Sequence, residues 1–518
     1  MNPIPGREQE MVKNSAGGVT FSLDDWDLLD RFLILGSAEN TYYATGQQLT
    51  LKATESMRNA LKTDGVRFVA RVKEISDAGR APKNDPAIFA LALAAAEGDA
   101  DTVKAAWTAL PAVCRIGTHL FSFVAAYNEL GKWNAAAKRG IANWYNSKPV
   151  DKLAYQLLKY QNRNGWATRD VLRLAHVKPQ LAEQDALYHW AVNNKAHKAG
   201  VSLPAIIEAF ERVHANGDVK TAVQAIADYN ISWEMLPTQL LREQKIWEVL
   251  LPKMGLTALL RNLGRMSSIG MTGNLSQGQK DIVARLGNKE DLNKSRVHPI
   301  TVLNALKTYA QGRGDKGSLT WQTNSRIIDA LNDAFYAAFG NIEPTGKSFL
   351  IGVDCSGSMF GARALGMPNL TAAEVAAVMA LAVAKIESNY WIGGFNTIMD
   401  ELKISPKMNL NEVLNIMRHF SWGDTDCALP MLHAAKHNMH VDNFSVWTDN
   451  QTWAGRIQPV QALCDYRNKF NNPRATLVVC GTTTTKFTIA DPKDPGMMDI
   501  VGFDSAAPQL ITDFVRNS

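Results

Sequence analysis

The sequence predicts two architectures in one chain: an array of paired α-helices up to about residue 340, and a doubly wound α/β sheet after it. Apolar residues recur at helical spacing through most of residues 21–340, whereas short apolar runs alternate with helical patterns in residues 341–518. The charge divides at the same point. Residues 341–518 hold 14 Lys and Arg against 17 Asp and Glu, and residues 1–340 hold 41 against 33. We therefore expect a flexible N-terminus over residues 1–20, a helical domain over 21–340 and an α/β domain over 341–518.

The helical domain is predicted from amphipathic segments of roughly 10 to 15 residues, separated by Gly, Pro, Asn or Asp. Stacked pairs of short helices are typical of HEAT and armadillo proteins, although this sequence shows no fixed repeat length. The predicted helices cover residues 23–35, 64–78, 85–97, 116–130, 134–144, 150–160, 168–175, 203–214, 245–254, 257–266, 279–286, 301–309 and 327–339.

The α/β domain is predicted from strands and helices that follow one another in turn. Strands are expected at 349–354, 390–395, 444–448, 476–480 and 500–503, and helices at 372–388, 410–419, 456–469 and from 508 onward. This alternation is typical of a mostly parallel sheet with helices on both faces. Ligands of such sheets bind at the carboxyl ends of the strands.

Composition narrows the class of protein. The chain of 518 residues is 46% hydrophobic and 20% charged, which is ordinary for a globular protein. Its five cysteines lie far apart and form no C-x-x-C pair, so neither a disulfide framework nor a thiolate zinc site is indicated. No apolar run approaches the roughly 18 residues of a membrane span, and the N-terminus does not resemble a signal peptide. We expect a cytoplasmic protein without a membrane partner.

The first strand of the α/β domain runs into a loop of small oxygen-bearing side chains. Asp354 ends the strand, and Ser356 and Ser358 follow at alternate positions. One carboxylate and two hydroxyls on a tight turn suit an octahedral Mg²⁺ that keeps some of its waters. A polar turn held only by its own hydrogen bonds is the alternative interpretation.

Two further residues are expected at the same edge of the sheet. Thr425 follows a predicted helix, and Asp449 follows the strand at 444–448. The full set resembles the metal-ion-dependent adhesion site of von Willebrand factor A domains, and it consists of Asp354, Ser356, Ser358, Thr425 and Asp449. The resemblance implies a bound divalent metal ion, with Mg²⁺ expected, and an open coordination position for an acidic ligand.

Basic and aromatic residues crowd one part of the helical domain. Residues 157–178 contain Lys159, Arg163 and His176 together with Tyr160 and Trp166. Nearby sequence adds Lys138 and Arg139 beside Trp144 and Tyr145, and Arg115 close to His119. Cations that pair with phosphates and rings that stack on bases are what recognition of single-stranded or loop RNA requires. A solvated helix face is the alternative for any one of these clusters.

A family is recognisable in five stretches of the sequence. The segments CRIGTHLF, IANWYN, KYQNRNGW, LRLAH and NDAFYAAFGNIEPTGKSFLIGVDCSGSM begin at residues 114, 141, 159, 172 and 332. Together they resemble the TROVE-domain family of Ro ribonucleoproteins, and the resemblance extends over nearly the whole chain from about residue 20.

The resemblance implies a ring of HEAT-like helical repeats that is closed by a von Willebrand factor A domain. It implies that small structured RNAs of the Y RNA kind bind the basic outer surface of the ring. Single-stranded 3′ ends of misfolded noncoding RNA, or of ribosomal RNA precursors, would enter its hole. By motif position, Lys159, Arg163 and His176 are the implied RNA-binding residues, whereas Lys138, Arg139 and Arg115 are chosen from charge alone. In bacterial members, Y RNA tethers the exoribonuclease polynucleotide phosphorylase.

The leading hypothesis is a noncatalytic, monomeric RNA-binding protein of RNA quality control, with no DNA partner. The alternative is a metal-dependent scaffold whose A domain captures an acidic side chain of a protein partner. An RNA-processing enzyme is disfavoured, because the sequence shows no second-metal carboxylate cluster and no acid–base pair.

Overall fold

The computed structural model forms two compact units, residues 55–282 and residues 1–54 together with 283–518. It describes residues 11–13, 19–21, 25–26, 29, 32–33, 41–43, 51–78, 83–131, 133–193, 201–315, 317–420, 423–449, 455–483, 490–491 and 494–517. The predicted flexible N-terminus lies outside these residues except at 11–13 and 19–20, and the helix predicted at 23–35 is described at five positions only.

The helices of the described chain, in order, are α1 (Leu51–Thr63), α2 (Gly65–Ala78), α3 (Asp85–Glu97), α4 (Ala100–Val113), α5 (Gly117–Leu130), α6 (Ala135–Asn146), α7 (Val150–Lys159), α8 (Thr168–Ala175), α9 (Ala182–Asn193), α10 (Ala205–Asn216), α11 (Val219–Tyr229), α12 (Gln244–Leu250), α13 (Leu256–Ser268), α14 (Gln277–Leu286), α15 (Lys289–Ser295), α16 (Pro299–Ala310), α17 (Ser325–Ala337), α18 (Gly357–Gly361), α19 (Ala372–Ile386), α20 (Leu410–Arg418), α21 (Leu429–Lys436), α22 (Pro459–Phe470) and α23 (Ala507–Asn517). Short 3₁₀ helices occur at Trp233–Met235, Leu240–Arg242, Leu251–Lys253 and Ala338–Asn341. None of these helices is long and apolar enough to cross a membrane.

The helices of residues 55–282 stack in alternation. Helix α2 packs on α4, α4 on α6 and α6 on α8, while α3 packs on α5. Contacts between every second helix are how paired helical repeats build a continuous core. The predicted helical array is therefore confirmed, although the sequence pattern had missed α1, α4, α9 and α11. Helix α4 is capped by Asp99, whose Oδ1 accepts a hydrogen bond from the Thr102 amide at 2.8 Å.

The strands of the described chain are β1 (Met11–Lys13), β2 (Val19–Phe21), β3 (Thr41–Tyr43), β4 (Asn162–Arg163), β5 (Trp166–Ala167), β6 (Phe349–Asp354), β7 (Arg363–Ala364), β8 (Met367–Thr371), β9 (Tyr390–Phe395), β10 (Met399–Glu401), β11 (Asn443–Thr448), β12 (Thr476–Gly481) and β13 (Met497–Val501). Seven of them form the sheet of the second unit, in the order β10-β9-β6-β11-β12-β13-β3. All neighbours in it run parallel except β10 and β9.

Helices cover both faces of this sheet. Leu350 and Val446 belong to a core shared with α21 and α22, whereas Ile351 and Trp447 face a region lined by α19 and α23. Every residue of β6, β11 and β12 is buried, as expected of parallel strands covered on both sides. The predicted doubly wound sheet is confirmed.

One edge of the sheet comes from the opposite end of the sequence. Strand β3 pairs in parallel with β13, Thr41 opposite Asp499 and Tyr43 opposite Val501. The sequence pattern did not reveal this strand. Three residues are too few to show a period of two, and their pairing depends on a partner more than 450 positions away.

A single glycine controls the packing of α6 against α4. A Cβ on Gly140 would lie 2.1 Å from Cε3 of Trp107, and that indole is wedged edge-on against Phe123 and Tyr127 at ring-centroid distances of 5.4 and 5.1 Å.

Gly140→Ala tests this contact, because helix propensity and packing have opposite effects at this position. Alanine would stabilise the helix by about 1 kcal/mol, whereas overpacking costs about 1–3 kcal/mol. We expect a lower urea midpoint by tryptophan fluorescence. Gly340→Ala, in the 3₁₀ helix Ala338–Asn341 and with nothing within 4 Å of its added Cβ, is the control and should not lower the midpoint. A raised midpoint for Gly140→Ala would contradict the packing.

Candidate metal centre and nucleic-acid interface

Asp354 ends strand β6, at the point of the sheet where the chain turns to opposite sides after two adjacent strands. Strand β6 continues to β9 on one side, and β11 continues to β12 on the other, so a crevice opens between the carboxyl ends of β6 and β11. The side chain of Asp354 is fully buried, and its Oδ1 accepts a hydrogen bond from the Ser356 amide at 2.8 Å. Oγ of Ser356 lies 3.0 Å from Oγ of Ser358. The three loop residues therefore occupy one turn, as predicted.

The other two predicted residues reach the same place. Oγ1 of Thr425 lies 3.4 Å from Oδ2 of Asp354, and Asp449 directly follows β11. Thr425 and Asp449 are 4% and 6% exposed. The sequence analysis missed Thr448, whose hydroxyl donates to Oδ2 of Asp354 at 2.9 Å. A hydroxyl at the last position of the strand, one residue before Asp449, was the available signal.

The two carboxylates repel one another in a buried setting. Burial raises the pKa of Asp354, and the negative charge of Asp449 raises it further, against the effect of hydrogen bonds from Ser356 and Thr448. Among the described residues, no Lys or Arg forms an ion pair with Asp354 or Asp449. A cation between the two groups would relieve both desolvation and repulsion.

The donor set is made of oxygen only. The described residues contain no group of three or more His, Cys, Asp or Glu side chains placed to hold a metal, so the hydroxyls would have to supply the remaining protein ligands. Two carboxylates and three hydroxyls form a hard set that fits Mg²⁺ rather than a thiolate or imidazole metal.

Arg115 is the first of the predicted basic residues to be fixed by the fold. It lies between α4 and α5, and its Nη1 donates to the carbonyl and hydroxyl oxygens of Ser76 at 3.3 and 3.1 Å. The same atom is 3.7 Å from Oδ1 of Asp77. The side chain remains 45% exposed, so the guanidinium is oriented but still reachable.

Lys159 is the last residue of α7, and Arg163 lies in the first strand of the short hairpin that follows. Strands β4 and β5 pair across Asn164 and Gly165, whose φ angles of 51° and 78° are those of a two-residue type I′ turn. The Asn-Gly dipeptide is the sequence signal for this hairpin. The Asn164 side chain donates to Ser122 Oγ of α5 at 3.2 Å, which holds the hairpin against the helical array while Arg163 stays exposed.

Rings and a weak ion pair surround Lys159. Its Nζ lies 5.8 Å from the ring centroids of both Tyr155 and Tyr160, and 4.0 Å from Oε1 of Glu234. The side chain of Tyr160 packs against Gly117, at the start of α5. A cation near half-buried aromatic rings is suited to a nucleic acid, which presents both phosphates and bases.

His119 shows that Arg115 and Arg163 share one face. Burial lowers the pKa of the imidazole, and the positive charges of Arg115 and Arg163 lower it further, so both cations act on this ring. Arg115 and Arg163 therefore lie near one imidazole, and Lys159, four residues before Arg163, is followed by Tyr160, whose side chain packs against Gly117, two positions after Arg115. We call Arg115, Lys159 and Arg163, with His119, the basic face.

The other three predicted residues are on other elements than the basic face. His176 is exposed at the C-terminal cap of α8 in the left-handed conformation, with φ 49°. The hairpin lies at the other end of that eight-residue helix, about 12 Å away along its axis. Lys138 and Arg139 lie in the first half of α6, and among the described residues they form no ion pair. Whether these three bind RNA stays a prediction.

Similarity to known proteins extends over nearly the whole chain. A family model of the TROVE domain matches residues 12–203 and 199–308, and one described as the Ro60 vWA domain matches residues 348–515. A protein named RNA-binding protein RO60 from Deinococcus radiodurans is 38% identical over 98% of this chain and 96% of its own length. One of the same name from Caenorhabditis elegans is 33% identical over 97% and 90%. The crystal structure of the Deinococcus radiodurans RO (RSR) protein superposes with a TM-score of 0.89, over 95% of this chain and all of that one.

Thr448→Val tests the support of the buried carboxylate. The substitution keeps the shape of the side chain but removes the hydroxyl that donates to Asp354. We expect a loss of about 1–3 kcal/mol in the free energy of unfolding, measured by urea titration with a chelator present.

The same substitution in an Asp354→Asn background is the control. The bond there is no longer made to a charge, so the loss should be about half as large. Equal losses in the two backgrounds would show that Thr448 does not support the Asp354 carboxylate.

Proposed function

The chain belongs to the TROVE-domain family of Ro60 proteins, and from that premise we propose that it is a noncatalytic RNA-binding protein that acts as a ribonucleoprotein. The observation that carries this proposal is the basic face, on which Arg115, Lys159 and Arg163 lie beside half-buried tyrosine rings. The two relatives described above are both named RNA-binding proteins, which supports the same function here.

Two physical effects would hold RNA on this face. Lysine and arginine side chains that pair with phosphates release counterions, and this release supplies most of the affinity at low salt. The rings of Tyr155 and Tyr160 offer surfaces on which unpaired bases stack. Because the hairpin and the Arg115 side chain are already held by hydrogen bonds, little conformational entropy is lost when RNA binds.

The finer assignments follow the family resemblance. We propose that small structured noncoding RNA of the Y RNA kind binds the basic face. We also propose that single-stranded 3′ ends of misfolded noncoding RNA, or of ribosomal RNA precursors, bind in the hole of a helical ring. Such a protein would work in the cytoplasm as a monomer in RNA quality control, with polynucleotide phosphorylase as a candidate partner. His176, Lys138 and Arg139 remain further candidates for RNA contact.

The double charge reversal Lys159→Glu with Arg163→Glu tests this proposal. Two lost phosphate contacts and two added negative charges should weaken binding of a structured small RNA about 100-fold at moderate salt. The slope of log affinity against log salt should become shallower by about two. Filter binding or fluorescence anisotropy over a salt series measures both quantities.

The matched control is Lys104→Glu with Lys220→Glu. These exposed lysines lie on α4 and α11 and change the net charge equally. If the control weakens binding as much as the test pair does, the effect is one of net charge and the basic face is not the site.

A second candidate function is favoured by the pair of buried carboxylates. We propose that Asp354, Ser356, Ser358, Thr425 and Asp449 hold Mg²⁺ at the edge of the sheet. The bound ion would supply an open coordination position for an acidic side chain of a protein partner. The α/β domain would then serve as a docking module, while the helical array carries the RNA.

Asp354→Asn tests the metal proposal. In wild-type protein, Mg²⁺ should raise the thermal midpoint, because the ion binds the folded state only. The asparagine variant should lose that shift, and titration calorimetry should show no binding at this site. Asp424→Asn, which removes an exposed carboxylate beside Thr425 but outside the set, is the matched control and should respond like wild type. An unchanged Mg²⁺ shift in Asp354→Asn would contradict the site.

A further inference from the structure

A half-buried lysine follows the last residues of α6. The Nζ of Lys148 lies 3.9 Å from the centroid of the Trp144 ring. Burial lowers the pKa of its ammonium to about 8, opposed only by the nearby Cys114 thiol. Among the described residues, no carboxylate comes within ion-pair distance of it. Lys148 is therefore a partly desolvated cation whose protein partners are an aromatic face and a buried thiol.

Keeping a cation in this position is unfavourable without a ligand. The negative end of the α6 dipole and the face of the indole both favour the charged amine, whereas burial disfavours it. An uncharged side chain of similar length would cover Trp144 equally well. A charged side chain that is disfavoured by burial and still partly accessible to ligands is typical of functional sites.

Lys148 adjoins the basic face through Cys114. Burial raises the pKa of the Cys114 thiol, while the positive charges of Lys148 and Arg115 act against that rise, so both cations stand close to the same sulfur. The Trp144 Nε1 donates a hydrogen bond to the Cys114 carbonyl. The ring that carries Lys148 is thereby anchored to the residue that precedes Arg115.

The cations lie at three helix connections. Lys148 lies between α6 and α7, Arg115 between α4 and α5, and Arg163 on the hairpin between α7 and α8. Lys148 and Arg115 act on Cys114, and Arg115 and Arg163 act on His119. A polyanion, which carries many charges, can pair with cations spread over several connections, whereas a single small anion cannot.

We propose that Lys148 binds a phosphate of the RNA held on the basic face, and so extends that face beyond Arg115. This inference rests on the proposed RNA-binding function. The bound phosphate supplies the counter-charge that the fold does not, and the indole of Trp144 keeps the amine in place before RNA arrives.

A dependence on pH follows. A bound phosphate favours the protonated amine, so the pKa of Lys148 is higher in the complex than in the free protein. Its share of the affinity is complete below the free-protein pKa of about 8 and declines as the pH rises through and above that value. The titratable group that acts on its pKa is the Cys114 thiol of the α4–α5 connection, which Arg115 follows directly in sequence, and Asp151 and Lys152 stand three and four positions after Lys148 in the first turn of α7. Of these, Cys114 has its pKa raised and stays protonated over this range.

Lys148→Met and Lys148→Arg test the proposal with the full chain and a structured small RNA as probe. The methionine variant should bind about five- to tenfold more weakly at pH 7, with a salt slope shallower by about one. Wild-type affinity should fall about fivefold between pH 7 and pH 9, and the fall should be absent in the methionine variant. The arginine variant stays charged, so its affinity should remain near the wild-type value at pH 7 and stay level to pH 9.

Lys104→Met is the control for the loss of one positive charge and should keep the wild-type pH dependence. If Lys148→Met binds like wild type, with the same salt slope and pH profile, the inference is overturned. If Lys148→Met does not fold, the Lys148→Arg variant provides the test. A fall in its RNA affinity between pH 7 and pH 9 as large as the wild-type fall overturns the proposal. The Lys159 and Arg163 double reversal is measured alongside. Should that variant bind normally, the RNA-binding face itself is refuted, which is a separate result.

Discussion

Repulsion between like charges is the interaction on which both candidate sites depend. At the edge of the sheet, Asp354 and Asp449 are buried close together, and neither has a basic partner among the described residues. On the helical array, the positive charges of Arg115 and Arg163 both act on the imidazole of His119. A ligand of the opposite sign stabilises groups of like charge that the fold places together. The two sites have opposite signs, and the ligands proposed for them, a dication and a polyanion, differ accordingly.

Separation of the sites follows from the same electrostatics. Residues 341–518 carry a net charge of −3 and residues 1–340 a net charge of +8. An acidic pocket without metal repels phosphates, so RNA is directed to the helical part of the chain. With a metal bound, the pocket loses most of that negative charge and becomes suited to a carboxylate. The two proposed sites therefore differ in the sign of the ligand that each would attract.

Much of the fold and of the grouping of residues at the candidate metal site was predictable, because the necessary information is local in sequence. The apolar run that ends at Asp354 identifies β6, and parallel strands must end at one edge, which places Asp449 near Asp354. The basic residues were harder. Lys159 and Arg163 meet Arg115 only because the hairpin folds back onto α5, and His176 is separated from them by the length of α8. Thr448 and Lys148 carry no motif at all, since their roles depend on what the fold places beside them.

The edge strand β3 has a consequence for synthesis of the protein. Thr41 emerges from the ribosome about 450 residues before its partners in β13, which at about 10–20 residues per second is roughly half a minute. During that time the helical array can fold, but β3 has no partner strand to pair with. An α/β domain expressed without the N-terminal segment would expose the backbone of β13 along a buried apolar sheet, which invites self-association. The two ends of the chain therefore form a single cooperative unit, and the natural place to divide this protein is not between its first and second halves.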